Sequence, residues 1–393
     1  MLNFEFYSPT KVIFGKGVES NVGEEVKIWG GSRVLVHFGG SSAKKSGLLD
    51  RIFTSLAEAG LTYFELGGVV PNPRLGLIRE GVSLCKAENI DFILAVGGGS
   101  VIDSAKAIGM SIANDCDAWD IYAKKVTPVR CLPIGTVVTI AAAGSETSQS
   151  SVITNEDGWL KRGAGCQVSR PKFAIMNPEL TYTLPAYQTA CGIVDILMHT
   201  MERYFTTVKN VELIDRISEG LLKTVINNGI IVMKDPANYA ARAEILWAGS
   251  LSHNDLTGTG RTRDFASHQM EHELSGMFDV AHGAGLAAIW GSWARFVYKT
   301  DVSKFVQYAV RVWNCELDFQ NPEATALAGI AKTEEYFKSI GMPVTIKELG
   351  IANLTDEQIE ELAEKCTFFG KRKIGAFMEL DKDEIMQIFQ MAR

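Results

Sequence analysis

Two segments of the sequence carry side chains that can hold a metal ion. In GIVDILMHTMERYF, Asp195 and His199 stand four residues apart. On a helix that spacing sets both on one face. Ile193, Val194, Ile196, Leu197 and Met198 make the helix apolar on nearly every side, which predicts burial. A buried carboxylate and imidazole need partners, and this segment alone leaves two answers open: a metal, or an Asp–His hydrogen bond. The second segment, DFASHQMEHELSGMFDVAHGAGLA, holds three of the chain's six histidines within fifteen positions. His268 and His272 are one helical turn apart, and His282 precedes a Gly-Ala-Gly run. One carboxylate with three imidazoles suits a divalent transition metal that keeps a position open for substrate. A competing reading takes His268-Gln269-Met270-Glu271-His272 as H-x-x-E-H, a zinc metalloprotease helix in which His268 and His272 bind zinc and Glu271 activates water. That reading leaves Asp195, His199 and His282 without a role.

A second chemistry is written in DFILAVGGGSVID. A buried strand runs into Gly97, Gly98 and Gly99 and then into a helix. Glycines let the backbone approach a phosphate closely, and the free N–H groups of the helix start then bind the anion. Ser100 can add a hydroxyl, and Asp103 sits in the first helical turn. The third glycine of G-x-G-x-x-G is replaced by Ile102, so this is not the ordinary dinucleotide fingerprint. A tight strand-to-helix turn without a ligand is the plainer alternative. The end of the first strand, HFGGSSAKK, has no acid to hold a ribose 2′-hydroxyl. Gly39, Gly40 and Ser41 leave room for a 2′-phosphate, with Lys44 and Lys45 following, which favours NADP(H) over NAD(H). The lysines read equally well as a solvated helix face.

These residues need a scaffold, and the pattern around them supplies one. Arg33–Phe38, Leu61–Leu66 and Asp91–Val96 read as strands; Lys44–Ala59, Leu75–Glu88 and Ser100–Met110 read as helices. Near-continuous apolar strands alternating with helices predict an α/β fold with a parallel sheet. Beyond Leu184-Pro185 helical periodicity dominates, as in the stripe Ile217, Leu221, Leu222, Val225, Ile226 and Ile230. The expected domains are therefore residues 1–184 and 185–393, consistent with a 393-residue chain being too long for one core. A hydrophobic fraction of 46% and a net charge of −7 fit an ordinary globular protein and give no general attraction to nucleic acid or an anionic membrane. No apolar run predicts a spanning helix, and MLNFEFYSPTKVIFGKG lacks the basic start and apolar middle of a signal peptide. Seven scattered cysteines without a CxxC point to a reducing cytoplasm.

Taken together, the motifs resemble those of the iron-containing (group III) alcohol dehydrogenases, most closely their butanol dehydrogenase branch. The resemblance runs the length of the chain: FYSPTKVIFGKG at the start, PNP at Pro71–Pro73, GGGSVIDSAKA at Gly97–Ala107, AGSE at Ala143–Glu146, the Asp195 and His199 helix, and HxxxH with AHGAGLA from His268 to Ala287. It implies an N-terminal Rossmann-like dinucleotide-binding domain and an all-helical C-terminal domain, a dehydroquinate synthase-like architecture with the active site in the cleft between them. The implied metal ligands are Asp195, His199, His268 and His282, for Fe2+ first and Zn2+ next. His272 would lie beside the metal without binding it, as the candidate catalytic residue relaying a proton. The implied cofactor set is Gly39, Gly40, Ser41, Asn72, Gly97, Gly98, Gly99, Ser100, Asp103, Thr139, Ser145 and Lys161. The implied activity is hydride transfer between NAD(P)(H) and a primary alcohol or aldehyde such as butanol or butanal, by a homodimer. A lyase of the same architecture is the second reading; it needs basic residues for a phosphorylated acid, and Arg261 and Arg263 are the candidates. Two positions depart from the family pattern: Ala143 stands where a threonine is usual, and Ser148 where this branch often has asparagine.

Overall fold

The computed structural model describes all 393 residues, which divide into two compact units, Tyr7–Leu184 and Met1–Phe6 with Pro185–Arg393. The first unit contains, in order, β1 (Lys11–Phe14), α1 (Val22–Ile28), β2 (Arg33–Phe38), α2 (Ser42–Lys45), α3 (Leu48–Glu58), β3 (Thr62–Leu66), α4 (Leu75–Ala87), β4 (Phe92–Gly97), α5 (Gly99–Asn114), α6 (Ala118–Tyr122), β5 (Ile134–Val138), β6 (Ser150–Asn155), β7 (Leu160–Gly165) and β8 (Phe173–Met176). Six strands form one parallel sheet in the order β1-β8-β5-β4-β2-β3, and β6 and β7 pair separately as an antiparallel hairpin.

Both sheet faces are covered, which explains the unbroken apolar run of β4. Ile93 and Ala95 pack with Ile78 of α4 and Ala105 and Ile108 of α5. Phe92, Leu94 and Val96 pack on the other face with Val26 of α1 and Ile52 and Leu56 of α3. From β2 the chain moves outward to β3, then returns across β2 to lay down β4 and β5 on the opposite side. The crevice at such a switch point, beyond the carboxyl ends of the strands, is where α/β sheets bind ligands. Here it is flanked by Gly39–Ser41 after β2 and Gly98–Ser100 after β4. Just below it, His37 ties β2 to β3 and α5. Its Nδ1–H donates to the Leu66 carbonyl at 2.8 Å, so its Nε2 accepts the Ser104 hydroxyl at 2.8 Å. Burial pulls its pKa down to about 4, keeping the ring neutral.

Several boundaries differ from the sequence reading. The helix expected over Lys44–Ala59 is interrupted at Gly47, whose φ of 70° ends α2 and starts α3. Asp91 lies outside β4; its carboxylate instead accepts the Ser32 and Arg33 N–H groups at 2.9 Å. Of the β-rich Asn3–Phe14 segment only Lys11–Phe14 is a strand, and it pairs with β8 in its own sheet. The expected 1–184 unit loses its first six residues to the helical unit. Backbone hydrogen bonds explain the reassignment: Leu2 N–H donates to Gly260 O at 2.8 Å and the terminal ammonium to Lys209 O at 3.0 Å.

The second unit is built from α7 (Ala186–Tyr204), α8 (Glu212–Lys234), α9 (Tyr239–His253), α10 (Ala266–Phe278), α11 (His282–Val297), α12 (Val302–Arg311), α13 (Pro322–Ser339), α14 (Asp356–Cys366) and α15 (Lys382–Ala392). Helix α7 is its axis, packing on α8, α9 and α11, and every residue from Gly192 to Tyr204 is buried. No helix is long and apolar enough to cross a membrane, and all seven cysteines are free thiols.

The glycine turn separates two demands on its residues. A Cβ on Gly97 would lie 2.5 Å from Val101 Cγ2, whereas one on Gly99 would meet nothing nearer than Ala143 Cβ at 3.9 Å. Gly97→Ala is therefore expected to lower thermal stability by ~1–3 kcal/mol through overpacking, and Gly99→Ala to leave it nearly unchanged. Equal melting temperatures for the two variants would contradict this division.

Candidate active site

Helix α7 presents Asp195 and His199 on one face, α10 presents His268, and α11 opens with His282. The three imidazoles converge on a single carboxylate oxygen. Asp195 Oδ1 stands 3.4 Å from His199 Nε2, 3.6 Å from His268 Nε2 and 3.7 Å from His282 Nε2. The donor atoms of Asp195, His268 and His282 all lie within 4.8 Å of one another. Asp195 Oδ1 and His268 Nε2 are both buried and neither has a hydrogen-bond partner. Buried polar atoms without partners are rare because each carries its full desolvation penalty. A cation among these four donors removes the penalty, and a carboxylate with three imidazoles is a donor set that divalent transition metals accept. The residues present therefore fit such an ion.

The nitrogens facing away from the cluster are also engaged. The Nδ1 of His268 bonds the carboxylate of Glu202, which also accepts the His268 backbone N–H at 3.1 Å. His282 Nδ1 bonds the carboxylate of Glu271, and that carboxylate takes the Ser275 hydroxyl as well. A carboxylate behind an imidazole fixes its tautomer and orientation and strengthens it as a ligand. The pattern steps across three helices: α7 orients the histidine of α10, and α10 orients the histidine of α11. His199 differs. Arg203 donates to the His199 carbonyl at 2.7 Å and stands 3.3 Å from its Nδ1, while its other arm reaches His253 Nδ1 at 2.8 Å. The His253 ring lies 4.0 Å from that of His199, centroid to centroid. Phe265, held at φ 57° ahead of α10, packs its edge on both His199 and His268.

Charge balance separates the imidazoles. Burial lowers the pKa of His199 well below its ordinary value, helped by the neighbouring imidazoles and Arg203. For His268, burial acts downward too, but the Glu202 and Asp195 carboxylates outweigh it and raise the group to about 9. His282 is the accessible member of the cluster, with 27% of its side chain exposed against 5–7% for the other histidines and Asp195. His272 is on this open side, its ring 5.8 Å from His282 and 6.4 Å from His268, outside the group around Asp195 Oδ1.

Two of the sequence readings lose their footing here. In H-x-x-E-H the glutamate must face water beside the metal. Glu271 is instead fully buried against His282 and Ser275, so the protease reading fails. The lyase reading needs free cations. Arg261 is buried on Asp215 at 2.9 Å and Arg263 is paired with Asp255 at 2.7 Å. Sequence reasoning also missed Glu202, Arg203 and His253. Glu202 was recoverable, three residues past His199 and seven past Asp195 on the same helix face; His253 carries no local signal.

In the α/β unit Gly39–Ser41, Gly97–Ser100 and Thr139, among the residues proposed for a dinucleotide, stand at the ends of β2, β4 and β5. Thr139 N–H donates to Gly97 O at 3.1 Å, bringing the ends of β5 and β4 together. Nothing lies within 4 Å of a Cβ built on Gly40, and Gly99 is nearly as open, so backbone here can be approached closely. Val101 and Ile102 N–H both donate to Gly98 O, at 3.0 and 3.2 Å, so the helix opens on the N–H groups of Gly99 and Ser100. Asn72 is buried at φ 54°, and Lys161 stands opposite Thr154, whose N–H donates to Pro73 O at 2.8 Å. Asp103 and Ser145 differ from the rest: the Ser145 hydroxyl donates to Asp103 Oδ1 at 2.6 Å, and Asp103 Oδ2 accepts the Val152 N–H at 2.9 Å.

Comparison with known proteins is consistent across the whole chain. Residues 9–178 match the family described as iron-containing alcohol dehydrogenase, and residues 189–393 match the C-terminal region of the Fe-containing alcohol dehydrogenase family. NADH-dependent butanol dehydrogenase A of Clostridium acetobutylicum is 39% identical over 391 residues, 99% of each chain. NADPH-dependent aldehyde reductase YqhD of Escherichia coli is 34% identical over 396 residues, 100% of each chain. Among solved structures, NADH-dependent butanol dehydrogenase A from Thermotoga maritima superposes with a TM-score of 0.96 at 34% identity, covering 100% of this chain and 99% of that one.

The outer carboxylates make a measurable prediction. In metal-free protein His268 keeps its proton up to about 9, so a metal must displace it. Apparent metal affinity is expected to rise with pH from neutrality and level off above about 9. At that plateau Glu202→Gln should weaken binding by about 10–100-fold, measured by competition with a chromogenic chelator. A pH-independent affinity, or a plateau unchanged by the substitution, contradicts the arrangement.

Proposed function

Because the chain belongs to the iron-containing alcohol dehydrogenase family, whose sequence pattern spans both units, we propose that it interconverts primary alcohols and aldehydes, of which butanol and butanal are representative, with NADP(H) as the preferred dinucleotide. The enzyme is an NAD(P)-linked alcohol dehydrogenase or aldehyde reductase. The observation that carries the reading is the convergence of three imidazole nitrogens on the partnerless Asp195 Oδ1.

Asp195, His199, His268 and His282 are the proposed ligands, for Fe2+ first and Zn2+ next. A divalent metal held there supplies Lewis acidity, lowering the pKa of an alcohol hydroxyl and polarising a carbonyl. The dinucleotide supplies or accepts the hydride. The chain's own part is placement. The open glycines at Gly40 and Gly99 and the N-terminus of α5 hold the pyrophosphate, with Gly39, Ser41, Asn72, Gly97, Gly98, Ser100, Thr139 and Lys161 around it. Glu202 and Glu271 keep two imidazoles turned inward. His272, on the exposed side, takes up or gives the proton at its imidazole. The absence of an acid after β2, with Ser41, Lys44 and Lys45 exposed, supports NADP(H). Relatives of both kinds, NADH-dependent and NADPH-dependent, occur.

Edge strand β1 and the exposed Phe4, Phe6 and Tyr7 ahead of it support a homodimer, and seven free thiols support a cytoplasmic location.

Metal-loaded protein is expected to consume NADPH with butanal, and NADH more slowly at equal concentration; no dinucleotide oxidation with any aldehyde of a panel overturns the reading. For His272→Ala, turnover should fall and its pH profile change while metal content stays full. Loss of metal instead would make His272 a ligand.

A further inference from the structure

Lys106 lies two turns into α5, in the stretch DSAKA, and its side chain is fully buried. Its ammonium reaches four oxygens: the carbonyl and hydroxyl of Ser145 at 2.7 and 2.9 Å, the carbonyl of Ser148 at 2.9 Å and that of Ser150 at 2.7 Å. Three N–H bonds are thus shared among four acceptors, all from the short stretch Ser145–Ser150 that leads into β6. Arg170 adds a second inward contact, donating to the Thr147 carbonyl at 2.6 Å. Asp103, one turn before Lys106 on α5, closes the network through the Ser145 hydroxyl and the Val152 N–H.

Carbonyl dipoles that point at one centre repel one another unless a cation holds them. The ammonium of Lys106 takes the part that a bound ion plays in other loops. Burial, reinforced by Arg170 and opposed by Asp103, Glu146 and Cys131, pulls its pKa down to about 8. A buried cation is costly to keep, and packing alone would be served as well by a methionine. Its four contacts all act on the segment that carries Ser145, and its helix is the one that begins at the open Gly99. Asp103 and Ser145 have turned their side chains into the same network.

We propose that Lys106 is a positioning residue for dinucleotide binding: an internal cation around which Gly144–Ser150 is wound, fixing that loop against the first turn of α5. Having no exposed surface, it acts without touching the ligand. Asp103 and Ser145 act with it, through the same hydrogen bonds. The inference rests on the reading of this unit as the dinucleotide site.

The test compares wild type and Lys106→Met in metal-loaded protein, with NADPH and NADH titrated by fluorescence. Lys106→Met is expected to raise the dinucleotide Kd by about tenfold or more, a difference of ~1.4 kcal/mol. Metal content should match wild type, and kcat at saturating dinucleotide should stay within about twofold. Amide hydrogen exchange across 144–150 should quicken while exchange in β4 does not. If Lys106→Met is insoluble, Lys106→Gln, which keeps two N–H donors, carries the same comparison with a smaller rise. An unchanged Kd in folded variant, or a fall confined to kcat, overturns the inference. Wild type that binds neither dinucleotide refutes the site reading itself, a separate outcome.

Discussion

A carboxylate oxygen buried among three imidazole nitrogens needs a positive charge beside it, supplied by a metal ion or, without one, by a protonated imidazole. Asp195 Oδ1 is in that position, and much of the helical unit is arranged around it. The burial of α7 from Gly192 to Tyr204 removes water that would otherwise solvate the oxygen. The same helix carries Glu202, so one element supplies two of the converging side chains and the anchor for a third. Strain is concentrated nearby: Phe265 sits in a left-handed conformation that a bulky residue avoids, and it walls off His199 and His268. Only the side of His282 and His272 is open, which sets where a substrate can approach.

The α/β unit meets a related difficulty in the opposite sense. There the buried charge is the Lys106 ammonium, and the chain bends its carbonyls to it. In both units a charge that apolar packing would exclude is retained because it dictates the conformation of the groups around it. His37 contributes a third, neutral version, a buried ring whose two nitrogens tie β2 to β3 and α5.

Legibility in the sequence followed the range of the interactions. The Asp195–His199 spacing, the apolar flanks of α7 and the clustering of His268, His272 and His282 are local patterns, and they picked out the side chains that the structure gathers around Asp195 Oδ1, with His272 just outside. Buried strands such as β4 were visible because both faces are covered, leaving no polar alternation to confuse them. What escaped was set by contacts between distant segments. His253 meets His199 only because α9 packs on α7. The inward use of Asp103 and Ser145 depends on two residues 42 positions apart, where motif matching sees only polar side chains suited to a ligand. The break at Gly47 and the transfer of residues 1–6 to the helical unit are single-residue and backbone effects that periodicity averages away.

The central claim, that Asp195 Oδ1 and the imidazoles around it hold one divalent metal, is tested most directly by elemental analysis of protein purified without added metal. The account predicts about one transition-metal ion per chain in wild type and close to none in folded Asp195→Ala. Full metal content in Asp195→Ala, or none in wild type even after loading with Fe2+ or Zn2+, would contradict it.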